Sequence, residues 1–249
     1  MHSFLDSKAM ARTLHKSLAA RDLELSYSEC LEITAHQFGL PDWNTLSAII
    51  QAATPKDRKY PMPEGWHHVG DTKYYRMGID ASSPGVAFIE CVIERKGGVD
   101  LSFIGFSTMM QSIEATAYRG AKIRLTADMR TDDADTAALW LRIDDGAGWP
   151  LRFHNTAYVD MDGVLTGNTG WKERSIVLDV PDDAGSIHYG FRLKGYGKVS
   201  VRRLRLETVP DDTPVSITEH RRDRAAAPHR HFVLGEPVNL DFMTVQQGK

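Results

Sequence analysis

Trp140 and Arg142 stand two residues apart in the alternating run Leu139-Trp140-Leu141-Arg142-Ile143. In an extended strand that spacing puts the indole and the guanidinium on one face. Arg152 and His154 repeat the spacing in the next stretch, with Asn155 beside them, and His188 and Arg192 share a face of another. Gln111 ends a further apolar run. An aromatic plane beside planar hydrogen-bonding groups fits a sugar or a carboxylate-bearing ligand. The ring supplies apolar contact and a guanidinium forks onto an anion. The chemistry of these eight positions is recognition rather than reaction. The competing reading has Trp140 covering a sheet edge and the arginines forming a solvated face.

Catalysis has a thinner basis, and no residue is assigned to it. Asp132-Asp133, Asp144-Asp145 and Asp182-Asp183 are paired acids, but each is expected at a turn, where Asp serves the backbone. No Gly-x-Ser-x-Gly, His-Glu-x-x-His or phosphate-loop pattern occurs. No cofactor or metal ligand set is assigned. The turn carboxylates leave room for a structural Ca²⁺, and His229-Arg230-His231 would need a third ligand from elsewhere.

The elements that must carry these residues follow from a change of period near residue 55. Before it, apolar residues recur at helical spacing. Asp6 or Ser7 starts a first helix, Ser26-Tyr27-Ser28-Glu29 fits a capping box, Gly39 is a left-handed stop, and Pro41-Asp42 opens a third helix. After it, strand follows strand to about Val209. Lys122 to Arg130 alternates cleanly, and so do Leu139-Leu141-Ile143, Ile176-Leu178-Val180, Ile187-Tyr189-Phe191-Leu193 and Val199 to Leu206. Asp145-Gly146-Ala147-Gly148 reads as a hairpin turn, and Gly170-Trp171 as a turn with the indole as a plug.

Residues 1–53 should therefore form a three-helix bundle, 54–65 a proline-rich linker, 66–209 an antiparallel β-sandwich, and 210–249 an irregular, extended tail packing on the sandwich or a partner through Leu240 and Phe242. The fold class is α+β in segregated modules.

The net charge of −3 over 249 residues provides no global attraction for nucleic acid or an anionic membrane. Residues 1–53 hold four basic side chains against six acidic ones, and 42–53 contain no Lys or Arg, which argues against DNA reading by the third helix. No stretch approaches the ~18 apolar residues of a membrane span. No secretory signal is evident, and Cys30 and Cys91 are expected as buried thiols, so the expected compartment is the cytoplasm. Edge strands and the apolar tail would permit a homodimer.

Phe4-Leu5-Asp6-Ser7-Lys8-Ala9-Met10-Ala11, Ser26 to Glu32 and His36 to Leu46 resemble the bacterial module known as glyoxalase-related. Glyoxalase chemistry needs a metal held by βαβββ repeats, and no such repeat is seen. Thr108 to Ile113, Tyr118-Arg119-Gly120, Leu139 to Arg142, Gly170-Trp171, Val177 to Pro181, Gly190 and Gly195 to Val199 resemble the jelly-roll, carbohydrate-binding-module-like domain of bacterial hypothetical proteins and transcriptional regulators. That family commonly has Phe-Asp-Asn-Met where this chain has Phe153-His154-Asn155-Thr156. The resemblance implies a jelly roll that binds a ligand or a protein. The leading expectation is a non-catalytic binding protein with a helical docking module. The alternatives are a regulator touching nucleic acid through the basic tail around His220 to Arg224, and a metal-dependent glyoxalase-like or sugar-processing enzyme.

Overall fold

The computed structural model describes residues 7–53, 60–80, 82–93, 105–156, 163–216 and 233–246. The chain divides into two compact units, Met1–Arg58 with Val92–Gly105, and Lys59–Cys91 with Phe106–Lys249.

The first unit contains α1 (Ser7–Ala19), α2 (Tyr27–Gln37) and α3 (Trp43–Ala53). The capping box is made: the Glu29 amide donates to Ser26 Oγ at 3.2 Å, and the Ser26 amide donates to Glu29 Oε2 at 2.7 Å. At the other end of α2 the Gly39 and Leu40 amides donate to the His36 and Ala35 carbonyls, with Gly39 at φ +71°. This is the Schellman pattern, and glycine adopts that φ without a Cβ penalty. Asp42 caps α3 by accepting the Thr45 amide at 2.7 Å. Ala11, Cys30, Ala35, Leu46 and Ile49 are buried.

Among the described residues, the second unit has nine strands: β1 (His67–Gly70), β2 (Tyr75–Ile79), β3 (Ala87–Cys91), β4 (Phe106–Glu114), β5 (Lys122–Asp145), β6 (Pro150–Asn155), β7 (Leu165–Asp179), β8 (Ala184–Lys194) and β9 (Lys198–Val209). The strand pairings are all antiparallel. The 24-residue β5 unites the two stretches that the sequence reading separated, and it serves both layers. Its first half pairs with β7 and β9, giving the layer β7-β5-β9-β3-β2. Its second half pairs with β6 and β8, giving the layer β6-β5-β8-β4-β1.

The crossing is at Asp133, whose φ is +47°, amid register shifts on the β7 side. Irregular backbone of this kind turns a strand from one sheet into another. The β8–β9 connection nests against the crossing. The Tyr196 amide donates to Asp135 Oδ2 at 3.0 Å, and a Cβ at Gly197 would stand 2.3 Å from Asp133 O.

Between the layers lie Ile123, Leu125, Ala127 and Met129 from one half of β5, and Ala137, Leu139, Leu141 and Ile143 from the other. They meet Met109, Ile113, Ile187, Phe191, Val199 and Val201, all fully buried. Burial of this kind contributes ~1.5–3 kcal/mol for each large side chain. Trp171, expected in a turn, lies instead within β7, where its ring faces the guanidinium carbons of Arg130 at 5.1 Å and Arg202 at 4.2 Å. An alternating polar stretch with few apolar residues hid that strand.

The segment 233–246 returns to the sandwich. Phe242 is fully buried against Trp66, with ring centroids 5.1 Å apart, and Phe191 at 6.3 Å. Leu234 makes a parallel bridge to Ile113. The basic run His220 to Arg224 and the His229–His231 pair lie outside the described residues.

Candidate functional site

The outward face of the layer β6-β5-β8-β4-β1 carries a cleft of about 180 Å³. Strand alternation decides which side chains reach it. Trp140 and Arg142 come from β5, His188 and Arg192 from β8, and Asn155 with Phe153 from β6. Phe106, Thr108 and Met110 come from β4, and Val69 from β1.

Trp140 is the floor. It sits opposite Gly190 on β8, which in turn sits opposite Met110 on β4. Glycine leaves no side chain in the way, and the indole Nε1 donates to Thr108 Oγ1 at 2.8 Å. The Thr108 hydroxyl in turn donates a hydrogen bond to the Phe191 carbonyl at 2.9 Å. The indole is therefore fixed in the middle of the sheet at 9% exposure, with strands on both sides, and does not cover an edge.

The polar side is organised by Asp144, which is fully buried. Arg142 Nε and Nη2 donate to its two oxygens at 2.5 and 2.8 Å, and Nη2 also approaches the Gly148 carbonyl at 3.3 Å. His188 Nε2 stands 3.4 Å from Asp144 Oδ2. Burial pushes the Asp144 carboxyl upward, but hydrogen bonds from His188 and Arg142 and the guanidinium charge outweigh it and hold the group below its ordinary value. His188 is held further by the Ser112 hydroxyl at Nδ1, 2.8 Å, and the Ser186 hydroxyl at Nε2, 2.9 Å. Arg192, 7% exposed, lies with its guanidinium carbon 4.6 Å from the Phe106 ring centroid.

Five of the eight sequence-derived positions, Trp140, Arg142, Asn155, His188 and Arg192, are brought together here. The other three lie elsewhere. Gln111 points to the interior: it accepts from Tyr189 Oη at 2.6 Å and the Val238 amide at 3.0 Å, and donates to the Val238 and Gly65 carbonyls. It clasps the returning tail. His154 stands opposite Leu141, a core residue, and is 4% exposed. Arg152 stands opposite Ile143 and forks onto Asp179 at 2.9 and 2.6 Å, joining β6 to β7. The His154 departure from the family pattern therefore falls on the face away from the cleft, while Phe153 and Asn155 line it.

The alternation of the sequence already puts Asp144 on the face of Trp140 and Arg142, but its pairing with Asp145 beside the Asp-Gly turn signal assigns it to the turn, and so it is absent from the eight candidate positions. Among the described residues, no group of three or more His, Cys, Asp and Glu side chains is placed to hold a metal ion. Among them too, no helix is long and apolar enough to cross a membrane.

Residues 1–71 match the family described as glyoxalase superfamily protein. The chain is 34% identical over 181 residues to a Bacillus subtilis protein named uncharacterized HTH-type transcriptional regulator YbfP. That match takes in 72% of this chain and 56% of the relative, so the chain spans little more than half the relative's length. Among solved structures, the CBM22-1 xylan-binding domain of Paenibacillus barcinonensis Xyn10C is similar at 9% identity and a TM-score of 0.41, covering 61% of this chain and 90% of that domain. A CBM4 structure is similar at 16% identity and a TM-score of 0.39, covering 64% of this chain and 94% of the other.

Proposed function

We propose that the β unit is a non-catalytic binding domain whose cleft takes a small polar ligand, a sugar or a carboxylate, and that the helical unit serves for docking. The observation that supports this is convergence. Three strands, β5, β6 and β8, send an indole, two guanidiniums, an imidazole and an amide to one cleft that β1 and β4 help to line with apolar side chains. The polar groups are held by neighbours, as a site preorganised for a ligand requires. Calorimetry of the full chain against a panel of sugars and small carboxylates tests it. Binding of some member, weakened by Asn155→Ala and by Arg192→Met, is the expected result. A panel that yields no binding, or binding indifferent to both variants, removes the reading.

A second reading is favoured by the regulator name of the Bacillus subtilis relative. In it the chain is the ligand-sensing part of a transcription-related protein, and any contact with nucleic acid comes from the basic run around residues 220–224 rather than from α3, which has no Lys or Arg. It requires DNA binding that weakens steeply with salt and is lost on deleting 217–231. Cytoplasmic residence is part of the proposal, and a fluorescent fusion in a bacterial cell checks it.

A further inference from the structure

We infer that Arg130 on β5 and Ser200 on β9 form the floor of a second binding site, on the outward face of the layer β7-β5-β9-β3-β2, for a tetrahedral oxyanion: a phosphate or sulfate group. The site is separate from the cleft, which opens on the other layer.

The first argument is a pair of unanswered polar atoms. Arg130 and Ser200 face each other across β5 and β9. Met129 and Val201 beside them point into the core, so alternation turns this pair outward. Ser200 is nonetheless 1% exposed. Among the described residues, Arg130 Nε and Ser200 Oγ are buried with no hydrogen-bond partner, and they do not bond each other. Such atoms are uncommon because leaving them unpaired is costly. An Nε–H only donates, so the missing partner is an acceptor, and the Ser200 hydroxyl can donate to the same oxygen.

The second argument is what surrounds the pair. Lys198 and Arg202 lie two residues to either side of Ser200 on β9, and hence on its face. Phe88 lies opposite Ser200 on β3. Arg130 stands against Trp171, its guanidinium carbon 5.1 Å from the ring centroid, and the Lys198 ammonium stands 4.6 Å from that of Phe88. The carboxylates of this face serve other groups or solvent. Asp128 takes Arg202 at 3.3 Å and Arg203 at 2.7 Å, and Glu90 takes Arg76 at 2.7 Å. Asp80 accepts the Ser82 hydroxyl at 2.6 Å and the Ser82 amide at 2.9 Å. Those bonds, and after them the charges of Lys198 and Arg130, hold its carboxyl below its ordinary value against burial. Asp132, opposite Lys198, and Glu173, opposite Asp128, are exposed. A water would answer the two orphan atoms alone. A guanidinium and an ammonium beside one buried hydroxyl answer an anion better.

The third argument is shape. The donors come from different sides: an Nε–H from β5, a hydroxyl from β9 and an ammonium from above the Phe88 ring on β3. A carboxylate lies in one plane and suits a single guanidinium fork. A tetrahedral group presents oxygens in several directions at once. It enters between Lys198 and Arg202, partly exposed arms whose rotamers exchange rapidly.

Calorimetry of the full chain at constant ionic strength, with inorganic phosphate, inorganic sulfate and phenyl phosphate, tests the site. The expected result is one-to-one binding of at least one of them with a Kd of about 1 mM or tighter. Ser200→Ala and Arg130→Met should each weaken it about tenfold. Arg192→Met, in the cleft, should leave it unchanged. Urea unfolding verifies that each variant is folded, and Ser200→Ala, which removes a single oxygen, carries the test where Arg130→Met does not fold. An inorganic ion bound more tightly than phenyl phosphate identifies a free ion as the ligand, and the reverse order a phosphate ester; both support the site. Binding lost in Arg192→Met places the anion in the cleft and overturns the inference. Binding unchanged in Ser200→Ala and Arg130→Met overturns it as well. No binding at about 20 mM leaves the two atoms to a water and has the same consequence.

Discussion

Trp140 on β5 and Thr108 on β4 are hydrogen-bonded at 2.8 Å although β8 runs between their strands. The bridge exists because the β8 residue facing Trp140 is Gly190. The cleft floor is thus a three-strand construction, with a ring, an empty position and a hydroxyl.

Substituting Gly190→Ala should break that construction. A Cβ there would stand 2.2 Å from Met109 O and 2.9 Å from Met110 Cα, both backbone atoms that cannot rotate away. The expected cost is ~1–3 kcal/mol of stability, read from urea unfolding. Ligand binding should weaken as well, since the indole loses its path to Thr108.

Removing the Asp144 carboxylate by Asp144→Ala should cost ~3 kcal/mol, because Arg142 is left charged and largely buried. Acid titration offers a second test. The folded carboxyl titrates below its ordinary value of 3.8, so the unfolded chain takes up this proton first as pH falls. The contribution of Asp144 is full above about pH 4 and is lost as pH drops through the folded value. Denaturation curves between pH 5 and pH 2, run at about one-unit steps, should slope less for Asp144→Asn than for the parent chain.

Gln111→Met should release the tail while sparing the cleft. Val238 loses partners for its amide and its carbonyl, and Tyr189 Oη loses its acceptor. Hydrogen exchange at the Val238 amide should accelerate, and stability should fall by ~1–3 kcal/mol. Ligand affinity should stay unchanged, because Gln111 faces the opposite side of the sheet.

Ser26→Ala should remove the reciprocal cap of α2 at a cost of ~1 kcal/mol to the helical unit. Faster exchange of the Glu29 amide, with the β unit unaffected, checks it.

The sandwich and its faces were legible to different depths. Alternation placed Trp140 with Arg142, and His188 with Arg192, since side-chain direction along a strand is set by its own backbone. It also placed Arg152 with His154, but could not say on which face. That depends on the register across the β5–β6 turn, where Ile143 pairs with Arg152 and Asp144 with Pro150. The irregularity there sets the whole face, because a one-residue shift moves every side chain to the other side. So Phe153 and Asn155 line the cleft and their neighbours do not. The capping box of α2 and the Gly39 stop were fully legible, as their partners lie within six residues of each other.

By itself, the order of residues determined the helix ends, the alternating strands, the two-part division of period and the lack of any familiar reaction motif, all of which follow from neighbours in the chain. Tertiary structure decided what those strands surround. It sent β5 through both layers at Asp133, and it turned Gln111 to hold a tail residue 127 positions away. It also joined Trp140 to Thr108 and made Asp144 the anchor of the cleft. Such pairings arise when loops close and faces are buried together, and no local pattern of residues encodes which distant partner will be waiting.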